Sequence, residues 1–233
     1  MASKATLSRS SGGRKDLTIP KLSKEQRNFL EQATFRYREA LPGSPAVKFL
    51  DSRGLNYPSI THRLAEFQLG YVAEPLPGHE MFRGMLAIPY LRNSPVQGQS
   101  VVSMRFRCIR EDCPHSDHGK YMSMPGADIR LFNTLPLQSS RETVGICEGE
   151  IDAITATLSG LPSVGVSGVE SWKTHFREPF LGFRKVFILA DGDEPGMRFA
   201  TKIANLLPNA KIIPSAPGDD VNSEVLKHGP KAL

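Results

Sequence analysis

The sequence predicts an α/β fold: a parallel sheet flanked by helices over residues 141–233, preceded by a basic α+β subdomain. Three observations predict it. In the stretch Lys185-Val-Phe-Ile-Leu-Ala-Asp191-Gly-Asp193-Glu-Pro-Gly196, residues 186–190 form an apolar run suited to a strand buried on both faces, and an acidic, glycine-containing turn follows. Val144-Gly-Ile-Cys-Glu148-Gly149-Glu150-Ile-Asp152 repeats that layout of strand, acidic turn and helix start. Upstream, two β-rich stretches, residues 82–90 and 101–109, flank a polar loop with Gly and Pro, as in an antiparallel pair.

A chain of 233 residues is long enough to bury a core and to divide into subdomains, here 20–140 and 141–233 after an arm of residues 1–19. Three cysteines argue against a disulfide scaffold and for a reducing compartment. No apolar run is long enough to span a membrane, and the N-terminus lacks the hydrophobic stretch of a signal peptide. Residues 1–140 hold 19 Lys and Arg against 12 Asp and Glu, a net of +7; residues 141–233 hold 10 against 12, a net of −2, which together make the chain's +5. A basic half of this kind suits a polyanion, although a merely soluble surface has the same composition.

Residues 1–19 are rich in Ser, Gly, Lys and Arg and are expected to be a disordered basic arm. Ser23-Lys-Glu-Gln26 has the form of a capping box, and Leu30, Ala33, Tyr37 and Ala40, widened by Phe29, share one face of the helix it opens. That helix should end before Pro42-Gly43. Pro45 opens a second helix with Gly54 as its cap, and residues 61–67 form a third. In the strand at 101–109, Ser103, Arg105 and Arg107 alternate with Val102, Met104, Phe106 and Cys108, so one face is apolar and the other basic. Further on, residues 162–168 and 210–214 read as strands, and a helix over 223–227 closes the chain. Pro195 suits the first turn of a helix in which Met197, Ala200, Ile203, Ala204 and Leu207 recur at helical spacing. Trp172 fits the core better than a stacking platform.

The acids carry the chemistry. Asp191 and Asp193 stand at i and i+2, so in an extended chain their carboxylates leave on the same side, and Gly192 would let a ligand approach the backbone between them. Asp152 falls in a first helical turn near Glu148. Two parallel strands delivering acids to their carboxyl ends place them where open α/β sheets bind ligands. At ~4 Å and an effective dielectric of ~20, each like-charge pair costs roughly 4 kcal/mol, so the cluster calls for a cation. Oxygen-only ligands point to Mg2+ or Mn2+ rather than zinc. Cys108, Cys113, His115 and His118 are side chains zinc accepts, but they are crowded rather than set in two separated knuckles, and Cys108 belongs to the apolar side of a strand. The sequence therefore argues for a hydrophilic loop there and against zinc.

With these residues in view, the chain resembles a known family. Glu148-Gly149 with Asp152, then Asp191-Gly192-Asp193 with Gly196, look like the motifs of the Toprim domain, shared by bacterial-type primases, type IA and type II topoisomerases and some nucleases. Phe49-Leu50-Asp51-Ser52-Arg53-Gly54-Leu55 followed by Phe67-Gln68-Leu69-Gly70-Tyr71 is similar to the "YLxxRGL … FxLGY" phrase of bacterial-type primases in particular. Ser167-Gly168 stands where that family has an "SLGT" turn. Asp219-Asp220 stands where it has "GKDPDE", which makes Asp220 the third-motif acid, with Asp219 able to share the role or with Asp220 simply capping the last helix.

The resemblance also implies roles for the basic half. Arg83 matches the "FRGR" stretch, Arg105 or Arg107 the arginine ending the "GFGGR" strand, and Lys120 and Tyr121 the "KYLNSPE" segment. Their implied task is to hold template or nucleotide phosphates, with Tyr121 stacking on a base. The chain departs from the pattern at Met85, where the second "FRGR" arginine would stand. It also departs at residues 1–40, which contain neither the cysteines nor the histidine of a zinc ribbon. The expectation is a polymerase core without zinc-binding or helicase-binding domains, an architecture suited to a bacteriophage.

What the resemblance implies is primer synthesis: ribonucleoside triphosphates joined on single-stranded DNA with divalent metal, in the cytoplasm of a bacterial host, with a replicative helicase as a further partner. Asp191 and Asp193 are then metal ligands, Glu148 is a ligand or takes the proton of the attacking hydroxyl, and Asp152 and Asp220 support them. Two alternatives use the same residues differently: a Toprim nuclease, or a non-catalytic single-strand-binding factor.

Overall fold

The computed structural model describes residues 22–55, 61–94, 98–138 and 142–233. The basic arm expected at 1–19 lies outside the described residues. Helix α1 (Lys24–Glu39) starts at the capping box: Ser23 Oγ accepts from the Gln26 amide at 3.1 Å, and Gln26 Oε1 accepts from the Ser23 amide at 2.8 Å. Its buried face carries Ala33 and Tyr37. Helix α2 (Pro45–Ser52) closes in a Schellman motif, the Leu55 amide donating to the Leu50 carbonyl and the Gly54 amide to the Asp51 carbonyl, both at 2.9 Å. Gly54 supplies the left-handed residue, with φ of +66°. Helix α3 (Thr61–Leu64) continues as the 3-10 turn Ala65–Phe67.

The first sheet is antiparallel, with order β1-β2-β3-β4: β1 (Gly70–Tyr71), β2 (Leu86–Ser94), β3 (Gly98–Arg107) and β4 (Tyr121–Ser123). Two boundaries differ from the sequence expectation. The strand expected from residue 82 begins at Leu86, because Gly84 turns the chain at φ of +80° and Phe82 sits in a 3-10 turn, stacked on Phe106 at 3.8 Å between centroids. The loop expected over 93–100 is mostly ladder: Asn93 pairs with Gln99 and Ser94 with Gly98.

The second sheet is parallel, with order β6-β5-β7-β8. Its parts are β5 (Thr143–Cys147), α4 (Glu150–Leu158), β6 (Ser163–Gly165), β7 (Lys185–Ala190), α5 (Glu194–Ala204), β8 (Ala210–Pro214) and α6 (Val221–His228). Side chains alternate between two cores, as the pleat requires. Val144, Ile146, Val186 and Ile188 face a cluster with Trp172, Phe180 and Phe199. Cys147 and Leu189 face the opposite cluster, which includes Ile151, Ile154 and Val221 and reaches Leu50, Leu55, Leu86 and Ile88 of the first half. Each fully buried side chain of that size contributes about 1.5–3 kcal/mol, so this shared core holds the two sheets in one relative position. Helix α5 is rotated from the expected stripe: Gly196, Phe199, Ala200 and Ile203 are buried, whereas Met197 is 39% exposed.

Candidate active site

Strands β5 and β7 are neighbours, with Cys147 opposite Leu189. Glu148 and Asp191 therefore leave adjacent strand ends, on strands about 4.8 Å apart. The chain leaves β5 for β6 on one side and reaches β7 on the other, so the acids lie at the topological switch point of the sheet. Gly149 caps α4 and puts Glu150 and Asp152 into its first turn, where the helix dipole favours negative charge.

Five carboxylates share this edge. Glu148 Oε2 and Asp191 Oδ1 are shut off from solvent and lack a hydrogen-bond partner. Asp152 Oδ1 accepts from the Asn222 amide at 3.1 Å. Asp193 caps α5, accepting from the Gly196 amide at 2.7 Å, and Asp220 caps α6, accepting from the Ser223 amide at 2.7 Å. Asp193 is exposed and lies at the rim rather than among the cavity-lining residues. Burial, reinforced by the charges of Asp152, Glu148, Asp220 and Asp193, raises the Asp191 carboxyl to about 8. Burial and then Asp220 raise Asp152 to about 6. Glu148 is raised as well, by burial first and then by Asp193 and Asp152. These are the marks of a site built for positive charge.

Two expectations about this edge are corrected. Asp219 does not join the cluster: both its carboxylate oxygens meet Lys227 Nζ, at 2.6 and 2.7 Å. Gly192 makes room for the protein's own chain rather than for a ligand. A Cβ there would stand 1.8 Å from the Ala216 carbonyl oxygen, and its amide donates to the Asp219 carbonyl at 2.8 Å. The loop after β7 is thereby laced to the loop carrying Asp220.

The acids open on a cavity of about 270 Å3 that is also lined by Arg105, Arg107 and Tyr121 of the first sheet, by Lys120 just before β4 and by Arg53 at the end of α2. A larger hollow, about 790 Å3, opens beside Phe29 and Met104, away from these acids. Arg107 is 6% exposed and has no carboxylate partner among the described residues. Its Nη1 donates to Tyr121 Oη at 2.5 Å, and its guanidinium lies over the Tyr121 and Phe49 rings at 4.8 and 4.9 Å. Burial, with Arg107 and Arg53 nearby, pushes the Lys120 ammonium down. Crowded cations facing unpaired acids leave room for a phosphate on one side and a metal on the other.

The remaining basic residues behave differently from expectation. Arg105 is committed to Glu150 at 2.6 Å, with side chains 16% and 1% exposed, so of the two candidate strand arginines Arg107 is the one without a carboxylate partner among the described residues. The Tyr121 ring is engaged by Arg105 and Arg107 rather than presented free for a base. Arg83 is not brought to the cavity; its Nη1 donates to the Ala73 carbonyl at 2.8 Å and lies 3.9 Å from Glu74. Sequence reasoning missed the roles of Glu150, Arg53 and Asn222. The first two stand inside quoted motifs. Asn222 carries no motif signal, yet it binds the Arg53 carbonyl and Thr155 Oγ1 at 2.8 and 2.9 Å.

The loop at the end of β3 is hydrophilic and irregular, as expected, but it gathers four side chains that the sequence leaves apart. Cys108, Cys113, His115 and His118 come together, their ligand atoms all within 4.8 Å of one another. Crowding in sequence does not keep them apart, because the backbone turns sharply at Asp112 and His115, both with φ of +52°.

Residues 145–225 match the Toprim-like family. The gene 57 protein of Mycobacterium phage D29 is 55% identical over 153 residues, 66% of this chain and 97% of that protein. Among solved structures, the RNA polymerase domain of Mycobacterium tuberculosis primase DnaG superposes with a TM-score of 0.68 at 18% identity, over 90% of this chain and 82% of that one. A DnaG primase catalytic domain bound to ssDNA gives 0.67 at 19%, over 88% of this chain and 78% of that one. The parallel sheet flanked by helices is thus a Toprim-like fold, and the chain as a whole shares the fold of these two structures. By its identity over nearly the whole of the phage protein, the chain belongs to the family of the D29 gene 57 protein.

Proposed function

We propose that this protein is the RNA polymerase core of a primase, joining ribonucleotides into short primers on single-stranded DNA. One observation carries the reading. Glu148 and Asp191 leave neighbouring parallel strands, each with an unpartnered buried oxygen, and share a cavity with Arg107 and Lys120 from the other sheet. The likeness to primase cores, one of them bound to ssDNA, supports it.

The donor set is all oxygen, which fits Mg2+ or Mn2+. Asp191 and Asp193 would hold the ion, with Glu148 as a third ligand and Asp152 and Asp220 as supporting charge. When bound, the metal supplies neutralisation of charge on the attacking and leaving oxygens. The protein's own residues do the rest. Where Glu148 does not ligate the ion, it would instead take the proton of a primer 3′-hydroxyl as that oxygen attacks the α-phosphate. Arg107 and Lys120 hold the phosphates, pyrophosphate among them as it leaves. Glu150 keeps Arg105, and through it Tyr121, in place. The partners on this reading are a single-stranded template, ribonucleoside triphosphates and a replicative helicase, in the cytoplasm of a bacterial host.

The test is a primer-synthesis assay on defined single-stranded DNA with Mg2+, with and without the four ribonucleotides. Short RNA that disappears in Asp191→Asn and Glu148→Gln is the expected result. Cleavage of the DNA without synthesis would replace this reading with a nuclease, and binding without turnover would replace it with a loading factor.

A further inference from the structure

We infer that Cys108, Cys113, His115 and His118 form a second metal site, a Cys2His2 zinc knuckle that staples the β3–β4 turn. The four ligand atoms lie within 4.8 Å of one another, and Cys113 Sγ is 3.5 Å from His118 Nε2. Zinc bonds of about 2.3 Å to sulfur and 2.0–2.1 Å to nitrogen make the edge of a tetrahedron about 3.5 Å long. The side chains already stand near the spacing of a closed structural site.

The surroundings are those of a ligand set. His118 Nδ1 lies 3.0 Å from the Gly119 carbonyl, which requires a proton on Nδ1 and leaves the lone pair on Nε2, toward Cys113. A backbone carbonyl fixing the tautomer in this way is the usual support of a metal-binding imidazole. His115 Nδ1 is shielded from solvent with no hydrogen-bond partner. Two non-glycine residues in one short loop, Asp112 and His115, hold left-handed backbone, a conformation that persists only where something determines it. Arg110 Nη2 lies 2.6 Å from His118 Nε2, taking the lone pair that zinc would claim; zinc binding turns this guanidinium away and releases the thiol protons of both cysteines.

The site's placement gives it a task distinct from that of the acids. Cys108 follows Arg107 directly, and its amide donates to the Lys120 carbonyl at 3.0 Å. A zinc ion here fixes the roots of Arg107, Lys120 and Tyr121, the basic wall of the groove, at a turn whose own pairing is short: β4 has three residues. The oxygen site and the sulfur–nitrogen site would select different metals.

The experiment is elemental analysis of the full chain purified without chelator, joined to a Co2+ titration of the metal-stripped wild type. About one zinc per chain is expected, with thiolate-to-cobalt absorption bands of a tetrahedral site. Cys113→Ser and His118→Ala should lose the zinc, and Asp191→Asn should keep it. Wild-type protein that carries no zinc and gives no tetrahedral cobalt spectrum would overturn the inference. So would loss of zinc in Asp191→Asn, which would place the metal at the carboxylates. The cobalt titration needs no variant, so a misfolded substitution does not blunt the test, and its outcome is independent of whether primers are made.

Discussion

Arg105 Nη1 lies 2.6 Å from Glu150 Oε1, and this ion pair joins the antiparallel sheet to the first turn of helix α4. Tyr90 Oη donates to the same carboxylate oxygen at 2.7 Å, so Glu150 is held from two strands at once. The pair sits directly beside Glu148.

Removing one partner leaves the other charge buried. Glu150→Leu or Arg105→Met alone should lower unfolding free energy by about 3–5 kcal/mol, whereas Arg105→Met with Glu150→Leu should recover most of that loss. Urea denaturation of the two singles and the double gives the coupling directly. A single-variant loss under about 1 kcal/mol would show that the pair is solvated rather than buried.

Arg107 and Arg83 should separate in binding. Arg107 faces the acids without a carboxylate of its own, while Arg83 points to the Ala73 carbonyl and Glu74. Charged hydrogen bonds are worth about 1.5–3 kcal/mol, so Arg107→Ala should weaken single-stranded DNA or nucleotide binding about tenfold or more. Arg83→Ala should change it little. Fluorescence anisotropy across a salt series checks both, and the Arg107 variant should lower the salt slope by about one.

Stability of the metal-free chain should fall as pH rises. The Asp191 carboxyl is raised from 3.8 to about 8 and Asp152 from 3.8 to about 6, so between those values the folded chain holds protons that the unfolded chain has lost. Stability from these groups is full below the unfolded value and declines through the folded ones. Thermal melts from pH 5 to 8.5 should therefore show a falling Tm. On the proposed reading Mg2+ binds the deprotonated acids, so adding it should offset the fall most at the alkaline end. Asp191→Asn should flatten it without metal.

Gly192→Ala should disable the site through the backbone. Its Cβ would stand 1.8 Å from the Ala216 oxygen, which is a backbone atom and cannot swing away. The loops holding Asp191 and Asp220 must then separate. The expected outcome is loss of synthesis together with a Tm drop of several degrees, from strain of about 1–3 kcal/mol. An active, equally stable variant would show that the two loops are not coupled.

Much of this arrangement is legible in the chain. The capping box at Ser23, the Pro45 start and the Gly54 end of α2 are local chemistry, and each appears where the residues demand it. The parallel strands are legible because the apolar runs at 144–147 and 186–190 have no polar face to present to water. The partners of long side chains are not legible. Nothing local distinguishes Arg105 from Arg107, which alternate on the same face; the choice depends on which one meets Glu150 when the sheets pack. Asn222 has no signal at all, since its partners are 67 and 169 residues away.

The sequence alone determined the order of the elements and the delivery of Glu148 and Asp191 to the carboxyl ends of two strands, because strand periodicity and turn chemistry act within a few residues. Only the tertiary structure decided that those two strands are neighbours, which arginine lacks a carboxylate partner, why Gly192 must be small, and that Cys108, Cys113, His115 and His118 meet. Those outcomes depend on close approach between segments that local conformational preference does not bring together.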